Sequence, residues 1–164
     1  MSSERFKVRV GNDHLIFCCA HFISYEGDKC EAIHGHNFRA AVELEGSLDE
    51  NGYLFDFIAL KRLAKAITDE LDHHVLLATG NTYIKVVDGP EQVRVTYRDR
   101  HWVFPREDCI LLPIENTTAE MLARLIGERL LPSLKAERNF AAQLLRVEVE
   151  EGVGQTAGWE WRSA

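Results

Sequence analysis

The chain has 164 residues and a formal net charge of −7, with 46% hydrophobic and 27% charged residues. This length suits one domain with its own core, and the negative charge argues against nucleic acid as the main partner. No apolar run is long enough to cross a membrane, and the first ten residues lack the apolar region of a signal peptide. The four cysteines form no C-x-x-C pair, which favours a reducing compartment. We therefore expect a single cytoplasmic domain over residues 1–164 with no nucleic-acid or membrane partner.

The first half of the chain predicts strands followed by a helix. Residues 5–10 and 14–21 favour strands, and residues 34–46 alternate apolar and polar side chains as a half-buried strand does. Residues 55–74 carry apolar side chains at helical spacing, and Asp56 is a suitable N-cap for this helix.

The second half repeats the order of strands, helix and strands. Residues 83–104 favour short strands, within a long connection over residues 75–116. A second helix is predicted over residues 116–134, and strands over residues 143–151 and 156–163. Hairpin-connected strands with two helices indicate an α+β fold, in which the helices cover one face of an antiparallel sheet.

The stretch CEAIHGHNF, residues 30–38, places two histidines one residue apart. Side chains two positions apart share a face of a strand, so His34 and His36 point to the same side as Phe38 and the apolar residues after it. His21 ends the earlier stretch LIFCCAH in phase with its apolar positions. Burying three imidazoles without partners is costly, and a bound metal would satisfy them all. Three histidines with one open position are typical of catalytic zinc, whereas each histidine alone would suit a hydrogen-bonded core residue.

Cys30 lies four residues before His34 and follows the loop-like stretch YEGDK. A metal beside the histidines would lower the pKa of this thiol and favour the nucleophilic thiolate. The sequence leaves three roles open for Cys30: metal ligand, general base or inert side chain. The other three cysteines are expected to be small buried apolar residues: Cys18, Cys19 and Cys109.

Glu151 continues the buried face of the predicted strand LLRVEVEEG, in phase with its apolar residues. A carboxylate on a buried face needs a partner, and it could grip a donor-rich ring edge through two hydrogen bonds. Alternatively, Gly152 and Gly154 end the strand and leave Glu151 exposed to solvent.

The stretch LDHH, residues 71–74, closes the first predicted helix. Histidines are favourably placed near the negative end of a helix. An Asp–His pair is also a proton-transfer device, because the carboxylate fixes the tautomer and orientation of the imidazole. The sequence does not decide whether His73 or His74 is the relay histidine paired with Asp72.

Together these motifs resemble the 6-pyruvoyl-tetrahydropterin synthase and 6-carboxy-tetrahydropterin synthase family. The matching stretches follow the family's order along nearly the whole chain: CCAH, CEAIHGHNF, GYLFDFIALK, LDHH, TTAEMLA and VEVEEG. The pattern C-x-x-x-H-G-H after an upstream A-H is the most specific of them. The chain departs from the family at Gly152, Thr117 and Leu77, where threonine, proline and asparagine are usual. Its connection over residues 75–116 is longer than is usual in the bacterial members.

The resemblance implies the tunnelling fold, a four-stranded antiparallel sheet with two helices on one face that joins between subunits into an oligomeric barrel. It implies a homohexamer built as a dimer of trimers, with active sites between subunits. The zinc ligands that it implies are three histidines: His21, His34 and His36. It implies catalytic roles for Cys30, Asp72 and His73. It implies a pterin-binding role for three further residues: Glu151, Thr117 and Thr118.

The reaction implied by the resemblance converts 7,8-dihydroneopterin triphosphate to 6-carboxy-5,6,7,8-tetrahydropterin, on the 7-deazaguanine or queuosine route. Zn²⁺ would bind the vicinal hydroxyls of the side chain and acidify neighbouring C–H and O–H bonds. Cys30 would remove a proton, and His73 would return one elsewhere. The cationic partners of the triphosphate are left open among several residues, including Lys29, Arg94, Arg98 and Arg100.

Other activities are compatible with the same residues. Elimination of triphosphate alone would give the 6-pyruvoyl product. Glu31 also creates an E-x-x-H-G-H pattern, which in one branch of the family accompanies aldolase-like cleavage to 6-hydroxymethyl-dihydropterin for folate; it equally suits a solvated loop acid. Two non-enzyme alternatives are a silent pterin- or purine-binding relative and a structural zinc protein in which Cys30 closes the metal site.

Overall fold

The computed structural model of the protein describes residues 4–138 and 140–163, and positions 1–3, 139 and 164 of the predicted domain lie outside this part. The described chain forms two helices: α1 (Phe57–Leu71) and α2 (Ala119–Arg138). Its strands, in chain order, are β1 (Phe6–His21), β2 (Ser24–Tyr25), β3 (Lys29–Cys30), β4 (His34–Gly46), β5 (His74–Ala78), β6 (Lys85–Val87), β7 (Gln92–Tyr97), β8 (Arg100–Pro105), β9 (Cys109–Leu112), β10 (Leu144–Gly152) and β11 (Gln155–Arg162).

The main sheet has six strands in the order β11-β10-β4-β1-β5-β9. Four of them, β11, β10, β4 and β1, pair antiparallel, as the α+β prediction expected. The prediction of a sheet with only four strands is wrong, because β5 and β9 extend it with parallel pairing. Both added strands contain short uninterrupted apolar runs, which suit a buried parallel strand but do not distinguish it from other buried segments.

Strand β1 is one long strand rather than the two that the sequence predicted. A register shift between Gly11 and Ile16, a bulge, interrupts its antiparallel pairing with β4. From Ile16 onwards the pairing is regular to the ends of both strands, where His21 lies opposite His34. This register places the last residues of β1 beside the first residues of β4.

The two helices and the antiparallel sheet share one hydrophobic core. Helix α1 begins where the Asp56 carboxylate accepts a hydrogen bond from the Ala59 N–H at 2.8 Å, which confirms the predicted N-cap. Leu60 and Leu71 of its apolar stripe are fully buried. Burying a leucine side chain in this way stabilises the fold by roughly 1.5–3 kcal/mol. None of the described helices is long and apolar enough to span a membrane.

The connection between the helices builds a second, smaller sheet in the order β6-β7-β8, where the sequence predicted short strands. A two-residue turn joins β7 to β8, and Arg98 in this turn has a φ of 53°. The inward side chains of the small sheet form a second core with Phe22 and with residues of β5 and β9. Cys30 packs against this core, so the small sheet reaches the segment that carries the thiol.

Candidate active site

Three histidines converge where β1 ends and β4 begins. His21 is buried, with 1% of its surface exposed, whereas His34 and His36 are half-buried. The ring centroids lie 4.7 Å apart for His21 and His34, 5.3 Å for His21 and His36, and 4.8 Å for His34 and His36. The alternation of side chains along two paired strands therefore brings the three rings together.

Hydrogen bonds turn the Nε2 atoms of two of these rings towards the centre of the cluster. His21 Nδ1 lies 2.9 Å from the carbonyl oxygen of Thr117, so this nitrogen donates and Nε2 carries the lone pair. His34 Nδ1 likewise lies 2.9 Å from the carbonyl oxygen of Ala32. The Nε2 atoms of His21 and His36 are buried and have no hydrogen-bond partner among the described residues. Buried polar atoms of this kind are rare, and a metal ion would satisfy both.

Glu151 of β10 completes the cluster. Its Oε1 lies 3.3 Å from His21 Nε2 and 3.2 Å from His36 Nε2, and neither contact has the geometry of a hydrogen bond. Four ligand atoms bonded to Zn²⁺ at roughly 2.0–2.1 Å lie about 3.3 Å from one another in a tetrahedron. The donor atoms of the histidines and Glu151 all lie within 4.8 Å of one another, so the residues fit a metal ion of this size. Cys30 is outside this cluster, which counts against a structural site that Cys30 closes.

The environment of His21 keeps this imidazole neutral. Burial lowers the pKa of His21, and it outweighs the hydrogen bond to Thr117 and the charge of Glu151, which raise the pKa. A neutral imidazole offers the lone pair that metal binding requires. His21 is therefore in the protonation state of a metal ligand at neutral pH.

An open cleft of about 410 Å³ lies beside the cluster. Its lining residues come from the start of α2 and from the β10–β11 hairpin, with one residue after β1: Ile23, Thr118, Ala119, Glu120, Glu151, Gln155, Thr156 and Ala157. Of the two threonines expected at a pterin pocket, Thr118 lines this cleft, whereas Thr117 is buried and its carbonyl accepts from His21. Glu151 belongs to both the cleft and the cluster, so a molecule in the cleft would meet a carboxylate next to the metal ligands.

Cys30 ends β3 in a half-buried position. Burial raises the pKa of the Cys30 thiol, the Arg100 guanidinium lowers it and the Glu31 carboxylate raises it, with a net upward shift. Glu31 is half-buried, and its Oε2 lies 4.0 Å from His34 Nδ1. The Glu31 carboxylate therefore lies near the side of the His34 ring that faces Ala32, and 35% of its side chain is exposed.

The other cysteines differ from Cys30 in burial. Cys19 and Cys109 are buried, as the sequence predicted, whereas Cys18 is half-buried because it lies on the opposite face of β1 from Cys19. Burial raises the pKa of Cys19 to about 12, so this side chain stays a thiol at neutral pH.

Asp72 joins the end of α1 to β1 and to the following histidines. Its Oδ1 accepts a hydrogen bond from the Cys18 N–H at 2.6 Å, and its Oδ2 lies 2.8 Å from His73 Nδ1. His74 Nδ1 instead lies 2.6 Å from the main-chain carbonyl of Asp72. The carboxylate therefore pairs with His73, whose side chain is 81% exposed. Within residues 4–138 and 140–163, no hydrogen bond or ion pair links this pair to Cys30.

Changing Asp72 to asparagine is expected to lower the free energy of unfolding at pH 7 by roughly 1 kcal/mol, because a charged hydrogen-bond acceptor is lost. Burial alone would raise the pKa of Asp72, but the bond from the Cys18 N–H and the pair with His73 outweigh it, and the pKa is lowered. Such a carboxylate stabilises the fold above its ordinary pKa, and the contribution is lost as the pH falls through its folded-state pKa. The difference in the free energy of unfolding between the variant and wild type should therefore disappear at acid pH.

Urea unfolding at pH 7 and at successively lower pH measures this difference. Asp69→Asn is the matched control, because Asp69 is an exposed acid in the last turn of α1, and among the described residues its ion pair is with Lys65 four residues earlier. An Asp72→Asn variant as stable as wild type at pH 7 would contradict the expected role of the carboxylate.

Comparison with known proteins relates these features to one protein family. The sequence model of 6-pyruvoyl tetrahydropterin synthase matches residues 13–160. A Methanocaldococcus jannaschii protein, provisionally named 6-carboxy-5,6,7,8-tetrahydropterin synthase, is 32% identical over 144 residues, which are 87% of this chain and 88% of that protein. A Pyrococcus furiosus dihydroneopterin monophosphate aldolase is 35% identical over 74 residues, which are 45% of this chain and 56% of that protein.

A solved structure shares the fold over nearly the whole length of both chains. Plasmodium vivax 6-pyruvoyltetrahydropterin synthase, in a variant with a catalytic glutamate changed to alanine, superposes with a TM-score of 0.90 at 26% identity, covering 98% of this chain and 100% of that one. The fold and the site define a lyase of the tetrahydropterin synthase type. The chain belongs to the 6-pyruvoyl tetrahydropterin synthase family. At this coverage, the small sheet β6-β7-β8 is part of the shared fold.

Most of the cations considered for the triphosphate have partners within the chain. Lys29 pairs with Glu26, and Arg98 pairs with Asp28. Arg100 donates to main-chain carbonyls, a contact that the sequence did not indicate. Alternation along β8 indicates that Arg100 shares the inward face with two aromatic residues, but it does not identify the carbonyls that Arg100 contacts.

Proposed function

We propose that the protein is a zinc-dependent 6-carboxy-5,6,7,8-tetrahydropterin synthase that acts on 7,8-dihydroneopterin triphosphate. The observation that carries this proposal is the cluster of His21, His34 and His36, in which two buried Nε2 atoms lack hydrogen-bond partners among the described residues. The cluster lies beside a cleft that Glu151 also lines. The name of the M. jannaschii relative supports the carboxy product. This activity belongs to the 7-deazaguanine or queuosine route.

The residues assigned to the metal are His21, His34 and His36. A bound Zn²⁺ would polarise oxygen atoms of the substrate side chain and acidify the bonds next to them. Thr117 orients His21 through its carbonyl, which supports Nε2 as the ligand atom. We assign Glu151 to the amino and ring N–H donors of the pterin, since two carboxylate oxygens match two parallel donors. Thr118 lines the same cleft and would contact the ring.

The proton-transfer roles fall to Cys30 and to the pair of Asp72 and His73. Cys30, as the thiolate, would remove a proton from the substrate side chain. Asp72 holds Nδ1 of His73, which leaves Nε2 to return a proton at another carbon. The three-carbon side chain becomes a one-carbon carboxylate, so a two-carbon fragment leaves in addition to triphosphate. One water is consumed in this conversion, and the two electrons that the side chain loses reduce the dihydropterin ring to the tetrahydropterin. Because His73 is exposed and has no described contact with Cys30, we assign this pair to the site of a neighbouring subunit.

A homohexamer formed as a dimer of trimers would build such shared sites. In the described chain, β11 lies at an edge of the main sheet, and β1 pairs with β5 only at Cys19 and Ala20. Main-chain donors and acceptors are therefore available for pairing with another strand along β11 and along the part of β1 that precedes Cys19, on the side of β1 that faces β5. Edge pairing between copies would close the sheets into the barrel of the tunnelling fold.

The proposal is tested by incubating the zinc-loaded protein with 7,8-dihydroneopterin triphosphate and identifying the pterins by mass, with chelator-treated protein as the control. Formation of 6-carboxy-tetrahydropterin only with metal would support it. The 6-pyruvoyl product alone would overturn the carboxy assignment within the same family chemistry. Bound pterin without any product would favour a silent binding relative.

The aldolase-like reaction is the second candidate for this experiment. It rests on two observations: the similarity to the P. furiosus aldolase over part of the chain, and the 4.0 Å approach of Glu31 Oε2 to His34 Nδ1. Formation of 6-hydroxymethyl-dihydropterin as the main product would assign the protein to the synthesis of folate precursors.

A further inference from the structure

The segment that carries Cys30 is a short hairpin held in place by other parts of the chain. Strands β2 and β3 have two residues each, and Ser24 pairs with Cys30 across them. A hairpin of this length is not stable by itself. On the Ser24 side, Asn116 donates to the main-chain carbonyl at 2.8 Å, and Asn81 donates to the hydroxyl at 2.9 Å. The position of Cys30 therefore depends on contacts from outside the hairpin.

Arg100 makes the corresponding contacts on the Cys30 side. Its two terminal nitrogens donate to the carbonyl oxygens of Cys30 and Glu31, each at 2.9 Å. Its guanidinium lies 4.7 Å from the centre of the Trp102 ring, which stacks on Phe22 with centroids 4.8 Å apart. The planar fork of an arginine reaches two carbonyls at once, whereas a lysine presents a single point charge.

We propose that Arg100 is a positioning residue that fixes the Cys30 thiol relative to the histidine cluster. It does so from the small sheet β6-β7-β8, by donating hydrogen bonds to the carbonyls of two successive residues. This rests on the proposed function only in taking Cys30 as the reacting group. Phe22 follows His21 in the chain, so the stack of Arg100, Trp102 and Phe22 ties the same arginine to the strand that carries a metal ligand. Such placement matters because a displacement of about 1 Å can cost roughly 100-fold in rate.

The charge of Arg100 gives this arrangement a measurable signature. The charged groups that face the thiol are Arg100 from β8 and Glu31 from its own segment. Burial raises the pKa of the Cys30 thiol, and Arg100 acts against it. Removing the guanidinium would raise the pKa further and leave less thiolate at neutral pH.

Three variants separate positioning from charge: Arg100→Gln, Arg100→Lys and, as the control, Lys85→Gln at an exposed position of the same small sheet. The rate of Cys30 alkylation by iodoacetamide is measured against pH in each zinc-loaded protein, with the modified peptide identified by mass. We expect the midpoint of this profile to move to higher pH in Arg100→Gln, because the positive charge is lost. The midpoint should stay near that of wild type in Arg100→Lys and in the control.

Steady-state kinetics then tests whether Arg100 positions the Cys30 thiol. Both Arg100 variants are expected to lower kcat by roughly 10- to 100-fold while KM changes by less than about threefold, because the thiol is displaced and the pterin cleft is not. Unchanged kcat in both variants, or an alkylation profile of Arg100→Gln that coincides with wild type, would overturn the proposal. If Arg100→Gln does not fold, kcat of Arg100→Lys decides.

The two proposals fail in different ways. Alkylation of Cys30 needs no substrate, so a wild-type protein that converts no pterin would refute the proposed function and leave the alkylation test of Arg100 valid. Circular dichroism and zinc content are recorded for each variant, so that a loss of fold or metal is not counted as displacement of the thiol.

Discussion

The variant His36→Ala is expected to lose its bound metal and at least roughly 10³-fold in kcat/KM with 7,8-dihydroneopterin triphosphate. His36 Nε2 is buried, has no hydrogen-bond partner in the described chain and lies 3.2 Å from Glu151 Oε1. Removing one of three imidazoles leaves an incomplete ligand set. Polarisation by a metal is worth several kcal/mol in the transition state, and each 1.36 kcal/mol is about tenfold in rate.

Metal content by plasma mass spectrometry and steady-state kinetics on the same preparation measure this effect. His14→Ala is the matched control, because His14 is an exposed histidine of β1, the strand that pairs with β4. Full zinc content in His36→Ala would count against the assigned site, as would equal losses in the control. Circular dichroism of both variants distinguishes loss of the ligand from loss of the fold.

The second large effect is expected from the adjacent variants Cys30→Ala and Glu31→Ala, which should affect different products. Cys30→Ala is expected to lower formation of 6-carboxy-tetrahydropterin by roughly 10²- to 10⁴-fold, the usual contribution of a general base. Glu31→Ala should keep most of this activity and abolish any 6-hydroxymethyl-dihydropterin, because its carboxylate lies beside His34, where it can serve the cleavage reaction.

Chromatography of one incubation, with the pterins identified by mass, measures both products. Cys18→Ala is the control, since Cys18 is a second half-buried cysteine outside the hairpin. The opposite pattern, with the carboxy product surviving Cys30→Ala and disappearing in Glu31→Ala, would make the glutamate the base. That result would align the chain with the P. vivax neighbour, which has a catalytic glutamate.

The convergence of the three imidazoles was predictable because it depends only on alternation within two strands and on their pairing. His21 is in phase with buried Phe17, and His36 with buried Phe38, so both strands turn their histidines to the core side. Antiparallel pairing from Ile16 onwards then places the histidines opposite one another. The first helix was predictable for a similar reason, since its period and N-cap are local properties.

The parallel strands and the partners of single side chains were not predictable in this way. Only Cys19 and Ala20 of β1 pair with β5, and the rest of that arrangement depends on packing across the second core. Alternation gave the face on which Glu151 lies, but the register between β10 and β4 decides which groups it meets. The contact of Arg100 with Cys30 spans 70 positions in the chain, a separation at which local patterns carry no information.

The bulge in β1 divides this strand into two parts that differ in how they tolerate inserted or deleted residues. Residues added or lost at the bulge, between Gly11 and Ile16, fall where the pairing with β4 is already interrupted, so the register beyond it is kept. A single residue inserted between Ile16 and His21 would instead turn His21 to the opposite face and separate it from the other histidines. Insertions and deletions among natural or engineered variants should therefore be found between Gly11 and Ile16 and be absent from the five positions that follow Ile16.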